Sequence, residues 1–265
     1  MLSANRYEIV RPCSLFGVAL AGIALAGLAA CGGSPARKAA APATSPKPKP
    51  RCVAGSIHRY GSARVAFAAV VRSNAQAAHR PGGRPFARFG RLNVNGVPTV
   101  FSVRAARVDR TCAPGWYLVQ LPIRPNGVTG WVHAPEVQLA RVRTRIDVDL
   151  SARRVTLYRA GRRVLTATAA VGSSATPTPT GSFYVNQRLV PTDPEGPFGP
   201  GAVGISAFSN VLTGWTQGGP IAIHGTNEPW SIGKPVSNGC IRLPNATLRR
   251  VFRQALAGTP VIIHA

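Results

Sequence analysis

Apolar and polar positions along the chain alternate with period two over much of its length. Ile146, Val148 and Leu150 alternate with Asp147 and Asp149, and Val155, Leu157 and Tyr158 follow across Ser151-Ala152-Arg153-Arg154. Strict alternation on either side of a short polar connection predicts a β-hairpin with one buried face, and puts Asp147 and Asp149 on its solvated face. Val97 to Val103 and Trp116 to Leu121 are also strand-like, with Asn95-Gly96 and Asn126-Gly127 as turns. Val65 to Val71 is apolar throughout and reads as a strand or a helix. Ile221-Ala222-Ile223, after Gly-Gly-Pro, reads as a buried strand, and Val261-Ile262-Ile263 as the strand that closes a sheet. Helical spacing occurs at Leu248, Val251, Phe252, Ala255 and Leu256, with Pro244 and Asn245 capping the front and Gly258 ending the run. Arg80 to Arg91 and Pro191 to Gly204 are dense in Gly and Pro and are expected to be loops, the second a substrate loop or lid. The pattern is that of a mostly β protein with one small helix.

The beginning of the chain follows other rules. Arg6 and Arg11 precede an apolar stretch from Leu15 to Gly27, as in an export signal occupying residues 1–30. A membrane span needs about 20 strongly apolar residues, and this Ala/Gly-rich run is shorter and weaker. Leu28-Ala29-Ala30-Cys31 resembles a bacterial lipobox, which implies lipid attachment at Cys31 and a place on the outer face of the cytoplasmic membrane. Residues 31–51 are rich in Pro, Ala and Lys and read as an extended tether that buries no core.

Charge narrows the range of partners. The chain has 32 Lys and Arg against 8 Asp and Glu, a net charge of +24. Such a surface concentrates anions, so anionic headgroups and envelope polymers are expected partners. Nucleic acid would be attracted as well. An export signal, and the lack of any nucleic-acid motif or aromatic residues interleaved with a basic run, argue against it.

The candidate chemistry lies in Gly219-Pro220-Ile221-Ala222-Ile223-His224-Gly225-Thr226-Asn227 and Pro235-Val236-Ser237-Asn238-Gly239-Cys240-Ile241-Arg242-Leu243. A free thiol is only a few per cent thiolate at neutral pH, so a nucleophilic Cys240 needs a neighbouring base, and His224 is the candidate. An ion pair between the two is expected. Gly225 and Gly239 flank the pair, where a missing side chain admits a substrate backbone and leaves N–H groups for a developing oxyanion. Thr226, Asn227, Ser237 and Asn238 are candidate pocket residues, and Arg242 either holds a substrate carboxylate or makes a structural salt bridge. A structural zinc site wants four Cys/His ligands and this neighbourhood offers two, so neither metal nor organic cofactor is expected.

These two stretches, with the upstream Thr176-Pro177-Thr178-Pro179-Thr180-Gly181-Ser182-Phe183, resemble the YkuD-type L,D-transpeptidase catalytic domain across residues 143–265. The resemblance implies a β-sandwich-like domain. It also implies Cys240 as the nucleophile that attacks the third residue of a peptidoglycan tetrapeptide stem, His224 as the base, and the Gly225 backbone orienting the imidazole. The family commonly has a second His before Gly-Cys, and here that position is Asn238, which supplies only hydrogen bonds. Carboxypeptidase or exchange chemistry on the same Cys240, and a non-catalytic wall-binding lipoprotein, are the rival readings.

Residues 52–140 read as a separate module. Trp116 to Pro122 with Gly127 and Gly130-Trp131-Val132 resembles bacterial SH3-like domains. With Cys13 in the signal, Cys31 lipidated and Cys240 the nucleophile, Cys52 and Cys112 remain to form a disulfide or stay as two buried thiols. His58, His79, His133 and His264 have no acidic or Cys partner at a suggestive spacing and read as ordinary residues.

Overall fold

The protein is described from a computed structural model covering residues 51–265. The expected signal at 1–30, Cys31 and the tether as far as Pro50 lie outside the described residues. Strands β1 (Ile57–Arg59), β2 (Ala66–Val71), β3 (Asn74–Ala78), β4 (Pro85–Gly90), β5 (Val100–Val108), β6 (Pro114–Gln120), β7 (Thr129–His133) and β8 (Val137–Val142) form one sheet. Its order is β4-β3-β7-β6-β5-β2-β8, with β1 added on β5. Phe101 and Val103 of β5, Val119 of β6 and Leu121 just after it join one apolar cluster with Val132 and Tyr117. The Cys52–Cys112 disulfide ties the segment before β1 to the β5–β6 turn across a sequence separation of 60. In that turn the Asp109 carboxylate accepts from the N–H and hydroxyl of Thr111 and the N–H of Ala113, which holds it below the usual carboxylate range.

The remaining residues form β9 (Thr144–Asp149), β10 (Arg154–Arg159), β11 (Arg162–Thr168), β12 (Val171–Gly172), β13 (Gly181–Leu189), β14 (Ala202–Phe208), β15 (Pro220–His224), β16 (Pro235–Ser237), β17 (Ile241–Arg242), α1 (Asn245–Gln254) and β18 (Pro260–His264). The second large sheet runs β11-β10-β9-β18-β13-β14-β15-β17, and β12 pairs separately with β16. Ile146, Val148, Leu157, Val185, Ile205, Ile223 and Ile241 line its core, and α1 lays Leu248 and Val251 into it. Each such aliphatic side chain removed from water contributes about 1.5–3 kcal/mol.

The two sheets lie within one compact unit. Ala68, Val100, Ala140, Val142 and Ala257 form a third apolar cluster that joins them. Tyr184 Oη donates to the Val100 carbonyl (3.1 Å) and Gln120 Nε2 to that of Ser182 (2.9 Å), so the seam also satisfies buried polar groups.

Four expectations need correction. Arg80 to Arg91 is not all loop: residues 85–90 form β4, an edge strand whose first residue, Pro85, has no ladder N–H to lose. Of Pro191 to Gly204, the last three residues already belong to β14. Asn245 does not cap α1; its Oδ1 accepts from Thr226 N–H (2.8 Å), and the helix begins at Asn245 without a side-chain cap. Residues 260–264 do not close the sheet at an edge; β18 lies inside it, parallel to β9 and antiparallel to β13. Val65 to Val71 resolves as strand β2 from Ala66.

Candidate active site

Two adjacent parallel strands assemble the site. In the β15–β17 register Ile223 faces Ile241 and His224 faces Arg242, which sets Ala222 beside Cys240. Ile221, Ile223, Ile241 and Leu243 are sealed in the core. Alternation therefore turns Ala222, His224, Cys240 and Arg242 to the other face, with His224 and Cys240 one pleat apart on neighbouring strands.

His224 is 4% exposed. Its Nδ1 lies 2.6 Å from the Gly225 carbonyl oxygen. A carbonyl only accepts, so Nδ1 carries the hydrogen and Nε2 presents a lone pair. Burial, reinforced by the positive charge of Arg242, pushes the imidazole pKa down to about 4, against the smaller opposing effect of the Gly225 contact. Burial also pushes the half-buried Cys240 thiol above its ordinary range, partly offset by a hydrogen bond from the Ala222 backbone and by Arg242. These shifts favour a neutral thiol and a neutral imidazole at rest. The expected ion pair is thus disfavoured by desolvation on both sides.

The turn carrying Cys240 is clamped from a distant segment. Thr178 Oγ1 donates to the Gly239 carbonyl (2.8 Å) and accepts from Gly172 N–H (2.9 Å). Thr176 Oγ1 donates to the Ser237 carbonyl (3.1 Å) and Ser173 N–H to the same oxygen (2.9 Å). Ser237 Oγ donates to the Cys240 carbonyl (2.5 Å) and accepts from Gly239 N–H (3.2 Å). Gly239 has φ of 104°, and an added Cβ would sit 3.0 Å from Ile221 Cδ1. At Gly225 a Cβ would meet Asn245 Oδ1 at 2.4 Å and Pro200 Cδ at 2.8 Å. Both glycines are needed for close approach. Their N–H groups, however, are engaged, Gly225 to the Gly201 carbonyl (3.3 Å) and Gly239 to Ser237. Neither is left for an oxyanion, contrary to the expectation. Among the described residues Cys240 N–H has no partner within the protein.

Arg242 makes a salt bridge to Glu228. Thr226 Oγ1 accepts from Glu228 N–H (2.9 Å), so Thr226 is buried loop scaffold. Asn227 and Asn238 are exposed, and Asn238 Oδ1 receives only a long contact from the Thr176 hydroxyl (3.5 Å). Sequence reasoning missed Phe198, whose ring meets the His224 imidazole edge-on at 5.0 Å from a breaker-rich loop. It also missed Glu228 and Asn245; only their closeness in sequence to the two motifs could have pointed to them. Away from the site, His264 does have an acidic partner: Nε2 lies 3.0 Å from Asp147 Oδ1, which holds the imidazole above its ordinary range. Among the described residues no cluster of His, Cys, Asp and Glu could hold a metal ion, and no helix is long and apolar enough to cross a membrane.

The paired strands thus set a cysteine and a histidine on a common face of a β scaffold, and comparison with known proteins shows what this part of the chain is similar to. Residues 143–263 match the model of the YkuD family, the L,D-transpeptidase catalytic domain. The YkuD proteins of Bacillus licheniformis and Bacillus subtilis, both bearing the L,D-transpeptidase name, are each 40% identical over 119 residues, 45% of this chain. The chain spans 64% and 65% of their lengths. A crystal structure of a mutant Enterococcus faecium L,D-transpeptidase aligns over 46% of this chain and 49% of its own, with 26% identity and a TM-score of 0.35.

Proposed function

We propose that the protein is an exported peptidoglycan L,D-transpeptidase in which Cys240 is the nucleophile and His224 the general base. The observation that carries this reading is the Nδ1 contact of His224 to the Gly225 carbonyl, which leaves Nε2 basic on the face it shares with Cys240. Cys240 Sγ attacks the carbonyl of the third residue of a tetrapeptide stem while its proton passes to Nε2. Because burial disfavours a standing thiolate, deprotonation accompanies attack. The C–N bond to the terminal D-alanine then breaks, the departing amine takes the proton from the imidazolium, and a thioester remains. The amine of a neighbouring stem attacks the thioester, Nε2 accepts the proton released, and the thiol is restored as the cross-link forms. Cys240 N–H, with no partner among the described residues, is the proposed oxyanion donor.

Phe198, Ser237 and Thr226 act as walls and scaffold, and Arg242 biases both reacting groups electrostatically while held by Glu228. Lipid attachment at Cys31 would keep the enzyme at the outer face of the membrane, with residues 52–140 as an SH3-like spacer.

Disaccharide-tetrapeptide muropeptides incubated with protein starting at Cys52 test this by mass spectrometry. Dimers that have lost one terminal residue, absent with Cys240→Ala and His224→Ala, are expected. Tripeptides without dimers would make the enzyme a carboxypeptidase, and unchanged substrate would overturn catalysis.

A further inference from the structure

At the seam between the two sheets lies a cavity of about 410 Å³, within the 300–1,000 Å³ or so typical of small-molecule sites. Its polar lining consists largely of carboxamides: Asn93, Asn95, Asn186, Gln187 and Gln217. Its apolar walls include Phe89, Phe208, Leu92 and Val94, the last two exposed. In a chain with 32 Lys and Arg, Arg88 is the one charged residue in the lining. A site of this kind suits a neutral ligand with many hydroxyl and amide groups and some apolar ring face. It does not suit a phosphate or a carboxylate.

The carboxamides are fixed in place. Asn93 and Asn95 both donate through Nδ2 across the seam to Gln187 Oε1, at 2.9 Å each. Gln217 Nε2 donates to Asn95 Oδ1 (3.0 Å), and Gln217 holds this place with a left-handed φ of 59°, a conformation that costs a non-glycine residue energy. Asn186 is the exception. Its Oδ1 is buried without a partner among the described residues, an unmet acceptor that ordinarily costs about 1–3 kcal/mol. A ligand hydroxyl or acetamido N–H would satisfy it.

The cavity borders the strand that carries His224. Pro220 lines it and begins β15, and Ala222, beside Cys240, follows two residues later on the same face, about 7 Å along the strand. A stem whose third residue lies at Cys240 has two residues between that point and its sugar, a reach of about 7 Å.

We infer that this cavity is the glycan subsite of the enzyme, taking the N-acetylated hexosamine that bears the donor stem, with Asn186 and the Asn95–Gln217 pair as its hydrogen-bonding groups. The inference rests on the transpeptidase reading for its substrate but not for its test. Chito-oligosaccharide, which has the sugar without any stem, is titrated into ¹⁵N-labelled protein starting at Cys52. Shifts confined to Asn93, Asn95, Asn186 and Gln217 are expected, lost in Asn186→Leu and reduced in Asn95→Ala, with Cys240→Ala binding as wild type. In parallel, disaccharide-tetrapeptide should be a better substrate than the free tetrapeptide by tenfold or more in kcat/KM, a preference that Asn186→Leu abolishes while leaving the free tetrapeptide rate unchanged. Chito-oligosaccharide binding without any turnover would uphold the subsite and overturn the transpeptidase. Equal use of both substrates with no shifts at the cavity would overturn the subsite and leave the transpeptidase standing. Should Asn186→Leu not fold, Leu92→Arg at the exposed rim gives the same readouts.

Discussion

Burying a histidine that must stay neutral makes stability depend on pH in a window that can be worked out. His224 has its pKa lowered from 6.5 to about 4, chiefly by burial. Between these values the unfolded chain takes up a proton that the folded protein refuses. Stability from this group is therefore fully present above pH 6.5 and is lost as pH falls toward 4. A shift of about 2.5 units at 1.36 kcal/mol each amounts to about 3 kcal/mol, with a slope of at most about 1.4 kcal/mol per pH unit. The perturbation is His224→Gln, which keeps a polar side chain but cannot titrate. Urea unfolding of both proteins at half-unit steps from pH 7.5 to 4 gives two curves of ΔG, and their difference isolates His224. His264, whose pKa moves the opposite way through its Asp147 contact, is present in both and cancels. The wild type should lose about 3 kcal/mol relative to the variant across the window. Curves that stay parallel to within about 0.5 kcal/mol would refute the buried neutral imidazole. If the variant is too unstable to measure, an NMR titration of the wild-type ring decides, since a midpoint above 6 would refute it equally well.

Other predictions follow from the same geometry. Since Nε2 must be unprotonated, kcat/KM should hold down to about pH 5 and be halved near pH 4, and iodoacetamide should alkylate Cys240 more slowly than a model thiol at pH 8, its pKa being raised. Thr178→Val leaves the Gly239 carbonyl and Gly172 N–H unpaired and should cost about 1–3 kcal/mol in urea unfolding, with a several-fold fall in kcat/KM. Leu248→Ala, at a fully buried position of α1, should cost about 2–5 kcal/mol by the same assay. Replacing Cys52 and Cys112 together by Ser opens a loop with a sequence separation of 60 and should cost about 4 kcal/mol of stability while leaving Cys240 chemistry intact.

Much of this was legible in the sequence because it is local. Alternation at Ile146, Val148 and Leu150 gives β9, and the apolar run before His224 gives β15 with the histidine at its end. What escaped reading depends on contacts between distant positions. Thr178 reaches Gly239 across 61 residues and Asp147 reaches His264 across 117, and no periodicity registers such pairs. Strand β4 was hidden because edge strands tolerate the Pro and charged residues that signal a loop. Burial works against the expected ion pair in a way proximity could not signal, since the desolvation of His224 and Cys240 is a property of the packed fold.

The interior position of β18 bears on when the site comes into being. Residues 260–264 follow every other strand in the chain, yet they supply the hydrogen-bonded link between β9 and β13. Until they arrive, the β10–β9 hairpin and the β13–β14–β15–β17 group have no ladder in common. Contacts of such long sequence separation form late and slowly. A chain emerging N-terminus first thus completes its first sheet before β9 and β13 are joined, so His224 and Cys240 gain their sealed surroundings only once residues 260–264 are in place.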